Sequence, residues 1–423
     1  LPIALWANKG ASVDKLTAVG MLAGVATLLG ETLAGAWPQV KVEVVGEPEL
    51  VMVYRRDSCR AALGWDLPDM PARALRRPGD EALVLFAGNA PRFYVLVGPD
   101  FRNLRRDCSG PVLVSGNSWL PHTFEHQEWI LAVYREGDVI HALVHNEYHD
   151  PWAPNCKPGF TDPSNPCWYN AITYAVSTDG GRSFIQLPAP GHVVAAPPLP
   201  WSPEPPQPCR RGPCPPPPYG YFSPSNIVRG RDGFYYALFM AIPDPAQPTQ
   251  GTCLMRTSNL ADPSSWRAWD GQGFNLPMPS PYDEEGNPVP TGRPACTPVS
   301  PRAIGSLHDS LTFNTYLGHY VLVGSGVLSV GGEVVCGVYF SLSKDLVTWS
   351  PASLILRTKL PYPPCNPDGL PDGSILYPSL IDHGDTSPNF EFTGRTPYLY
   401  FVRWNSGLDR DLLRVQLRFH LAP

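Results

Sequence analysis

Hydrophobic and polar positions alternate in short runs over most of this chain, and the runs come in pairs. In Trp65–Gly88, WDLPDMPARALRRPGDEALVLFAG, an acidic loop from Asp66 to Asp69 leads into a strand that carries Arg73. A turn follows at Pro78-Gly79-Asp80, and an apolar strand completes the unit. The plan recurs four more times, at Glu125–His149, Pro224–Ala241, His308–Gly326 and Tyr377–Trp404. Each copy is a polar or acidic lead, a strand, a turn near Gly or Asp, and a second strand. One such unit cannot bury its apolar face alone, whereas units set radially bury one another. The pattern therefore predicts an all-β chain, a five-bladed β-propeller over residues 61–423 with a short N-terminal helix and strand extension over residues 1–60 that packs on it.

The predicted blades run from Asp66 to about Val114, from His122 to Phe184, over Ser223–Trp269, over His308–Trp349, and from Tyr377 to about His420. In the extension, the apolar run Leu16–Gly30 is too short to span a bilayer and reads as a buried or docking helix. Strand patterns follow at Gln39–Val45 and Glu49–Tyr54, placed either outside the propeller or in its closure. A long loop, Asp150–Trp168, interrupts the second blade. The proline-dense stretch 195–219 reads as a surface insertion between the second and third blades.

Composition supports many turns and few helices, with 52 Pro and 38 Gly. Charged residues make up only 17%, the net charge is -6, and no Lys/Arg block stands out, which argues against a nucleic-acid partner. No stable membrane span is expected, and the chain reads as a monomer. Ten cysteines, an even count without a CxxC pair, point to an oxidising compartment, secreted or periplasmic. Cys156–Cys167 and Cys209–Cys214 are close enough to be local staples; the other pairings stay open. Zinc-type spacing is missing from the cysteines and from the ten histidines, so no catalytic metal or other cofactor is expected. A structural Ca²⁺ at the axis is compatible with the pattern and not required by it. Neither a GxSxG elbow nor a nucleotide-binding glycine pattern occurs.

Three outer-strand motifs carry a family resemblance. Ser177-Thr-Asp-Gly-Gly-Arg-Ser-Phe184 resembles the Asp-box of sialidase-like propellers. Thr257-Ser-Asn-Leu260 with Trp266 and Trp269, and Ser341-Leu-Ser-Lys-Asp-Leu-Val-Thr-Trp349, resemble the turns of five-bladed glycoside hydrolases of the arabinanase, xylosidase and invertase kind. In these motifs Ser with Asp or Asn ties off a turn, and the aromatic residue plugs the gap between blades, so their role is structural. The resemblance covers about Asp66 to the C-terminus. It implies an active site where the inner strands begin, built from carboxylates on different blades, with an oligo- or polysaccharide as substrate.

Carried onto this chain, the resemblance places Asp69 as base or nucleophile, with Asp66 as its runner-up and Arg73 as the cation beside it. In the second blade Glu128 and His126 are expected inward, with Glu125 secondary. In the third blade Ser225-Asn226 stands where the arabinanase and invertase kind have their acid Glu. The substitute acid is Glu147: alternation along VIHALVHNEYH puts His145, Glu147 and His149 on one face, and aromatic neighbours would raise its pKa. Trp168, Asn226, Arg256, His308, Asp309, Asp382, Arg403 and Trp404 complete the candidate substrate-binding set. Two further readings stand beside hydrolysis. One is a non-catalytic propeller that binds glycan or protein through the same face. The other is a sialidase-like exo-glycosidase using Arg73, Arg256 and Arg403 with Glu147-Tyr148.

Overall fold

The computed structural model describes residues 37–62, 64–150, 168–203, 218–246, 250–289, 292–330, 332–362, 364–366 and 372–422. The expected helix at Leu16–Gly30 and the expected staples Cys156–Cys167 and Cys209–Cys214 lie outside these residues. The described chain is nearly all β, with helical turns of at most four residues, as at Tyr54–Asp57 and Pro301–Ile304.

Pairing groups the strands into antiparallel sets in chain order. The first is Arg73–Arg76, Leu83–Phe86, Val95–Gly98 and Arg105–Arg106. The second is Gln127–Glu136, Val139–His149 and Trp168–Ser177, edged by Ile185–Gln186 and Val193–Ala195. The third is Val228–Arg229, Tyr235–Ile242, Gly251–Thr257 and Arg267–Ala268. Tyr219–Phe222 runs parallel to the second set and antiparallel to the third, and so joins the two into one sheet. The fourth is Ser310–Asn314, His319–Val330, Glu333–Ser343 and Ser353–Arg357. In the last set, Ile375–Ile381, Tyr398–Ser406 and Asp409–Leu421 are completed by Val40–Met52 from the other end of the chain. That N-terminal strand is thus a hydrogen-bonded member of the final sheet, and it ties the two ends of the fold together.

Apolar clusters fill the space between consecutive sets. Phe86, Val95, Ile130 and Val144 pack between the first and second, and Leu143, Ile172, Phe239 and Met255 between the second and third. Leu238, Leu254, Leu322 and Tyr339 lie between the third and fourth, and Val338, Phe340, Leu399 and Leu413 between the fourth and the last. Leu85, Leu96, Tyr400 and Leu412 then pack the last set against the first, which closes the ring of a β-propeller. Each sheet buries both faces, so its strands read as apolar runs rather than clean alternation.

The outer turns work as their residue types require. Asp179 Oδ1 accepts the N–H groups of Arg182 and Ser183, both at 3.0 Å, and Ser177 Oγ accepts from Gly181 N at 2.8 Å. Asp345 Oδ1 holds Val347 N and Thr348 N in the same manner. Phe184, Trp266 and Trp349 lie buried in three of the clusters between sets. Gly137, with φ 62°, makes the tight turn between Gln127–Glu136 and Val139–His149. Three disulfides pair described cysteines: Cys59–Cys108, Cys253–Cys296 and Cys336–Cys365.

The axis is filled by polar side chains that bond to backbone. Arg73 is buried there, and its guanidinium donates to the carbonyls of Leu131 (2.7 Å) and Asp309 (2.6 Å), reaching the second and fourth sets from the first. Asn226 reads the backbone of Leu311 from both sides: its Oδ1 accepts Leu311 N at 2.8 Å and its Nδ2 donates to Leu311 O. At the far end, Glu391 accepts from Tyr134 Oη (3.0 Å) and Arg229 N (2.8 Å).

Candidate active site

At the end where inner strands begin, Asp69, Trp129, His145, Glu147, Ser223 and Tyr377 line a cavity of about 30 Å³. Asp69 and Glu147, from the first and second sets, therefore meet across one space. A cavity of this size holds about two waters, since each needs about 10–15 Å³ of such space. A sugar ring would have to sit at its mouth and present only its reacting atoms.

The cation beside Asp69 is not Arg73, whose donors are spent on carbonyls. It is Arg410, whose Nη1 donates to Asp69 Oδ1. Arg410 and Trp404 face each other across the Tyr398–Ser406/Asp409–Leu421 hairpin, and the guanidinium lies 3.9 Å from the Trp404 ring centroid. Burial pushes the Arg410 pKa down to about 9, and burial likewise brings Arg73 to about 9 against the opposing charge of Asp309. Trp404 thus acts on the site through Arg410, as a platform.

Glu147 stands between two histidines. His145 Nε2 lies 3.0 Å from its Oε1 and His149 Nε2 2.9 Å from its Oε2. The tautomer of His145 follows from the neighbouring set: its Nδ1 accepts the N–H of Ser223 at 3.2 Å, so its proton is on Nε2 and is donated to Glu147. Burial would raise the Glu147 pKa, but the bonds to His145 and His149 outweigh it and hold the carboxyl well below the usual carboxylate range. The direction is opposite to the raised pKa expected of a general acid. An ionised carboxylate with an N–H on each oxygen has no proton to give.

His126 and Trp168 stand behind His149. His126 Nδ1 accepts the His149 N–H at 3.0 Å, while Trp168 is its cross-strand partner with ring centroids 5.2 Å apart. Burial, aided by His149, lowers the His126 pKa to about 4. Both position the histidine rather than line the cavity.

Tyr377 takes its place through a backbone irregularity. Its strand slips register between Leu376 and Ser379, and Tyr377 itself has φ 56°. A bulge of this kind re-aims a side chain, here toward the carboxylates. Burial, then the charges of Glu147 and Asp309, raise its pKa, so the phenol stays protonated. Asp309, on the fourth set, is buried; Ser325 N donates to its Oδ2 at 2.9 Å. Burial raises the Asp309 pKa despite the opposing charges of His308 and Arg73 and the bond from Ser325. His308 Nδ1 donates to Ser306 O at 2.6 Å.

Several expected members lie elsewhere. Glu128 pairs with Asn146 while Gln127 pairs with Glu147, so Glu128 points to the opposite face of the sheet. There it meets Gly116 N and Gln186, and burial raises its pKa to about 7. Glu125 packs beside Gly116 in the same region. Asp66 is a structural anion that binds Arg106 and accepts Cys59 N (2.7 Å) beside the Cys59–Cys108 disulfide. Asn226 is the clamp on Leu311 described above. Arg256 pairs with Asp232 (3.4 Å) between Phe234 and Phe274, near the opposite end of the strands. Asp382 accepts Gly384 N and Gly394 N in a loop at that end. Arg403 turns away from Arg410 to Asp411 and Asn405, each at 3.2 Å. The three arginines of the sialidase-like reading therefore do not converge.

No group of three or more His, Cys, Asp or Glu side chains among the described residues is arranged to hold a metal ion. No described helix is long and apolar enough to cross a membrane.

No protein-family model matches the chain, and comparison with curated proteins gives no match. Among solved structures, a protein of unknown function from Dyadobacter fermentans is similar with a TM-score of 0.46 and 11% identity, covering 90% of this chain and 99% of that one. A beta-fructofuranosidase of Bombyx mori gives a TM-score of 0.45 at 10% identity, covering 87% and 62%. An endo-arabinase from Bacteroides thetaiotaomicron gives 0.42 at 10% identity, covering 87% and 96%.

Proposed function

We propose that this chain is a secreted or periplasmic five-bladed propeller that cleaves glycosidic bonds of an oligo- or polysaccharide at the axial site. The observation that carries this reading is the meeting of Asp69 and Glu147 on one cavity. Glycosidic cleavage passes through an oxocarbenium-like state, so it needs an anion near the sugar's anomeric carbon and a proton for the leaving oxygen. Asp69, seated by Arg410, is the base or nucleophile. Glu147, ionised between its histidines, stabilises the positive charge that develops on the ring. The proton comes from Asp309, whose pKa is raised, chiefly by burial. Tyr377 carries a phenol proton between Glu147 and Asp309 and orients a sugar hydroxyl. The disulfides support an oxidising compartment.

The test is a screen of plant, algal and bacterial polysaccharides with new reducing ends as readout, repeated with Asp69→Asn and Asp309→Asn. Losing a general acid or base typically costs about 10²–10⁴ in rate. Full turnover by Asp69→Asn would remove this reading. A second reading, a glycan-binding propeller without turnover, is favoured by the size of the cavity and by the N–H groups that cover both Glu147 oxygens. Under it the same variants change binding, and no polymer in the panel is cut.

A further inference from the structure

A second cleft opens at the opposite end of the strands, between the third and fourth sets. The turn at Gly230–Gly233, the turn before Tyr320, and the turn at Lys344–Leu346 enclose about 440 Å³. That falls within the range of about 300–1,000 Å³ of small-molecule pockets. Its walls are aromatic. Phe313 meets Tyr320 edge-on at 5.2 Å, and Tyr236 stands on the other side.

The charges around it are arranged unevenly. Asp232 is paired, and Asp345 is engaged through one oxygen. Asp232 Oδ2 accepts Tyr236 Oη at 2.6 Å and pairs with Arg256, while Asp345 Oδ1 holds the N–H groups of Val347 and Thr348. The cations are not. Arg231 and Lys344 are exposed, and among the described residues neither has a hydrogen bond or ion pair. Arg231 is nonetheless held in place, its guanidinium 5.3 Å from the Phe313 ring centroid. The cleft thus offers unpaired cationic donors beside aromatic side chains, with Asp232 paired to Arg256 and Asp345 as its one carboxylate outside an ion pair.

We propose that this cleft binds an anionic sugar unit, a uronic acid or sulfated ring, of an acidic polysaccharide. The C–H face of the ring would lie on the Phe313 wall, and its carboxylate or sulfate would meet Arg231 and Lys344. A guanidinium suits such an anion because its fork of N–H donors matches two oxygens at once. The identity of the polymer as a carbohydrate rests on the axial reading; the anion preference rests on the cleft alone.

Affinity electrophoresis of the whole chain in gels containing polygalacturonate, a sulfated galactan or neutral arabinan tests it without needing turnover. Wild type should be retarded by at least one anionic polymer, and whichever retards it identifies the anion. Arg231→Ala/Lys344→Ala should bind that polymer about tenfold or more weakly, the scale of one lost charge-assisted hydrogen bond. Its binding to the neutral polymer should be unchanged. No retardation by either anionic polymer, or equal retardation of the double variant, overturns the proposal. Because retardation needs no turnover, failure of the axial chemistry leaves this result standing, and the reverse.

Discussion

Replacing Arg410 with Met removes one half of a buried ion pair and leaves Asp69 in place. The two side chains are only 4% and 8% exposed, so the orphaned carboxylate cannot turn to water for compensation. Breaking a buried pair from one side costs about 3–5 kcal/mol. Methionine keeps an unbranched stem over Trp404 and a favourable sulfur–aromatic contact, so lost packing adds little to that figure. A loss of this size is a large share of the roughly 5–15 kcal/mol that holds a typical domain together. Equilibrium unfolding in urea should show a lowered midpoint at unchanged slope. The double variant Arg410→Met/Asp69→Asn removes both charges and should recover most of the loss, giving a coupling of at least about 2 kcal/mol in the cycle. If Arg410→Met stays within about 1 kcal/mol of wild type, the pair behaves as a solvated surface bridge and the reasoning fails. It fails as well if the double variant is no more stable than the single one.

Glu128 and Glu147 should move stability with pH in opposite directions. Burial raises the Glu128 pKa from 4.5 to about 7, so its contribution is full below 4.5 and is lost as pH rises through 7. Glu128→Gln should flatten that decline when unfolding midpoints are compared from pH 4 to pH 8 (roughly the span over which such a group titrates). The Glu147 pKa is lowered, so its contribution is full above 4.5 and erodes as pH falls toward its folded value. Glu147→Gln should therefore remove part of the acid-side loss, measured by the same unfolding series below pH 4.5. Asn226→Ala strands the N–H and C=O of Leu311 and should cost about 1–3 kcal/mol in unfolding free energy. It should leave glycan retardation at the Arg231/Lys344 cleft unchanged.

Much of the fold is legible in the sequence because the signals are local. Paired runs around Gly and Asp turns mark the sheets, and side-chain bonds within a few residues make the turns at Asp179 and Asp345. Asp69 and Glu147 could be chosen from strand position, and the His145–Glu147–His149 face from simple alternation. What stayed hidden depends on contacts that exist only once the ring closes. Arg410 lies far from Asp69 in sequence, and nothing near either residue names the other. Arg73 looks like a partner for Asp69, but the closed axis brings carbonyls from other sets nearer to its guanidinium. Asn226 looks like a sugar ligand, although it replaces missing strand pairing between the third and fourth sets. Glu128 looks inward because alternation sets it on the face of His126, but His126 lies outside the strand, which pairs Glu128 with Asn146. Phe124, with φ 50°, turns the chain just before His126, and the strand starts only at Gln127.

Glu147 makes the general point about chemistry. A Glu among aromatic residues suggests a raised pKa, and burial alone would give one. The sign is reversed by two N–H donors, and one of those donors is fixed by the backbone N–H of Ser223, from the segment leading into the next sheet. The protonation state of a residue on the second sheet is therefore written partly in the lead to the third. It follows that removing the His145 donor, as in His145→Phe, should act on the charge of Glu147 without changing the carboxyl group itself. Phenylalanine keeps an aromatic ring beside Trp129 and Phe222 and takes away the N–H that Oε1 accepts. Titration of Glu147 by ¹³C-carboxyl NMR should then move upward. An unchanged titration in a folded His145→Phe variant would mean that the charge of Glu147 is set by something other than that bond.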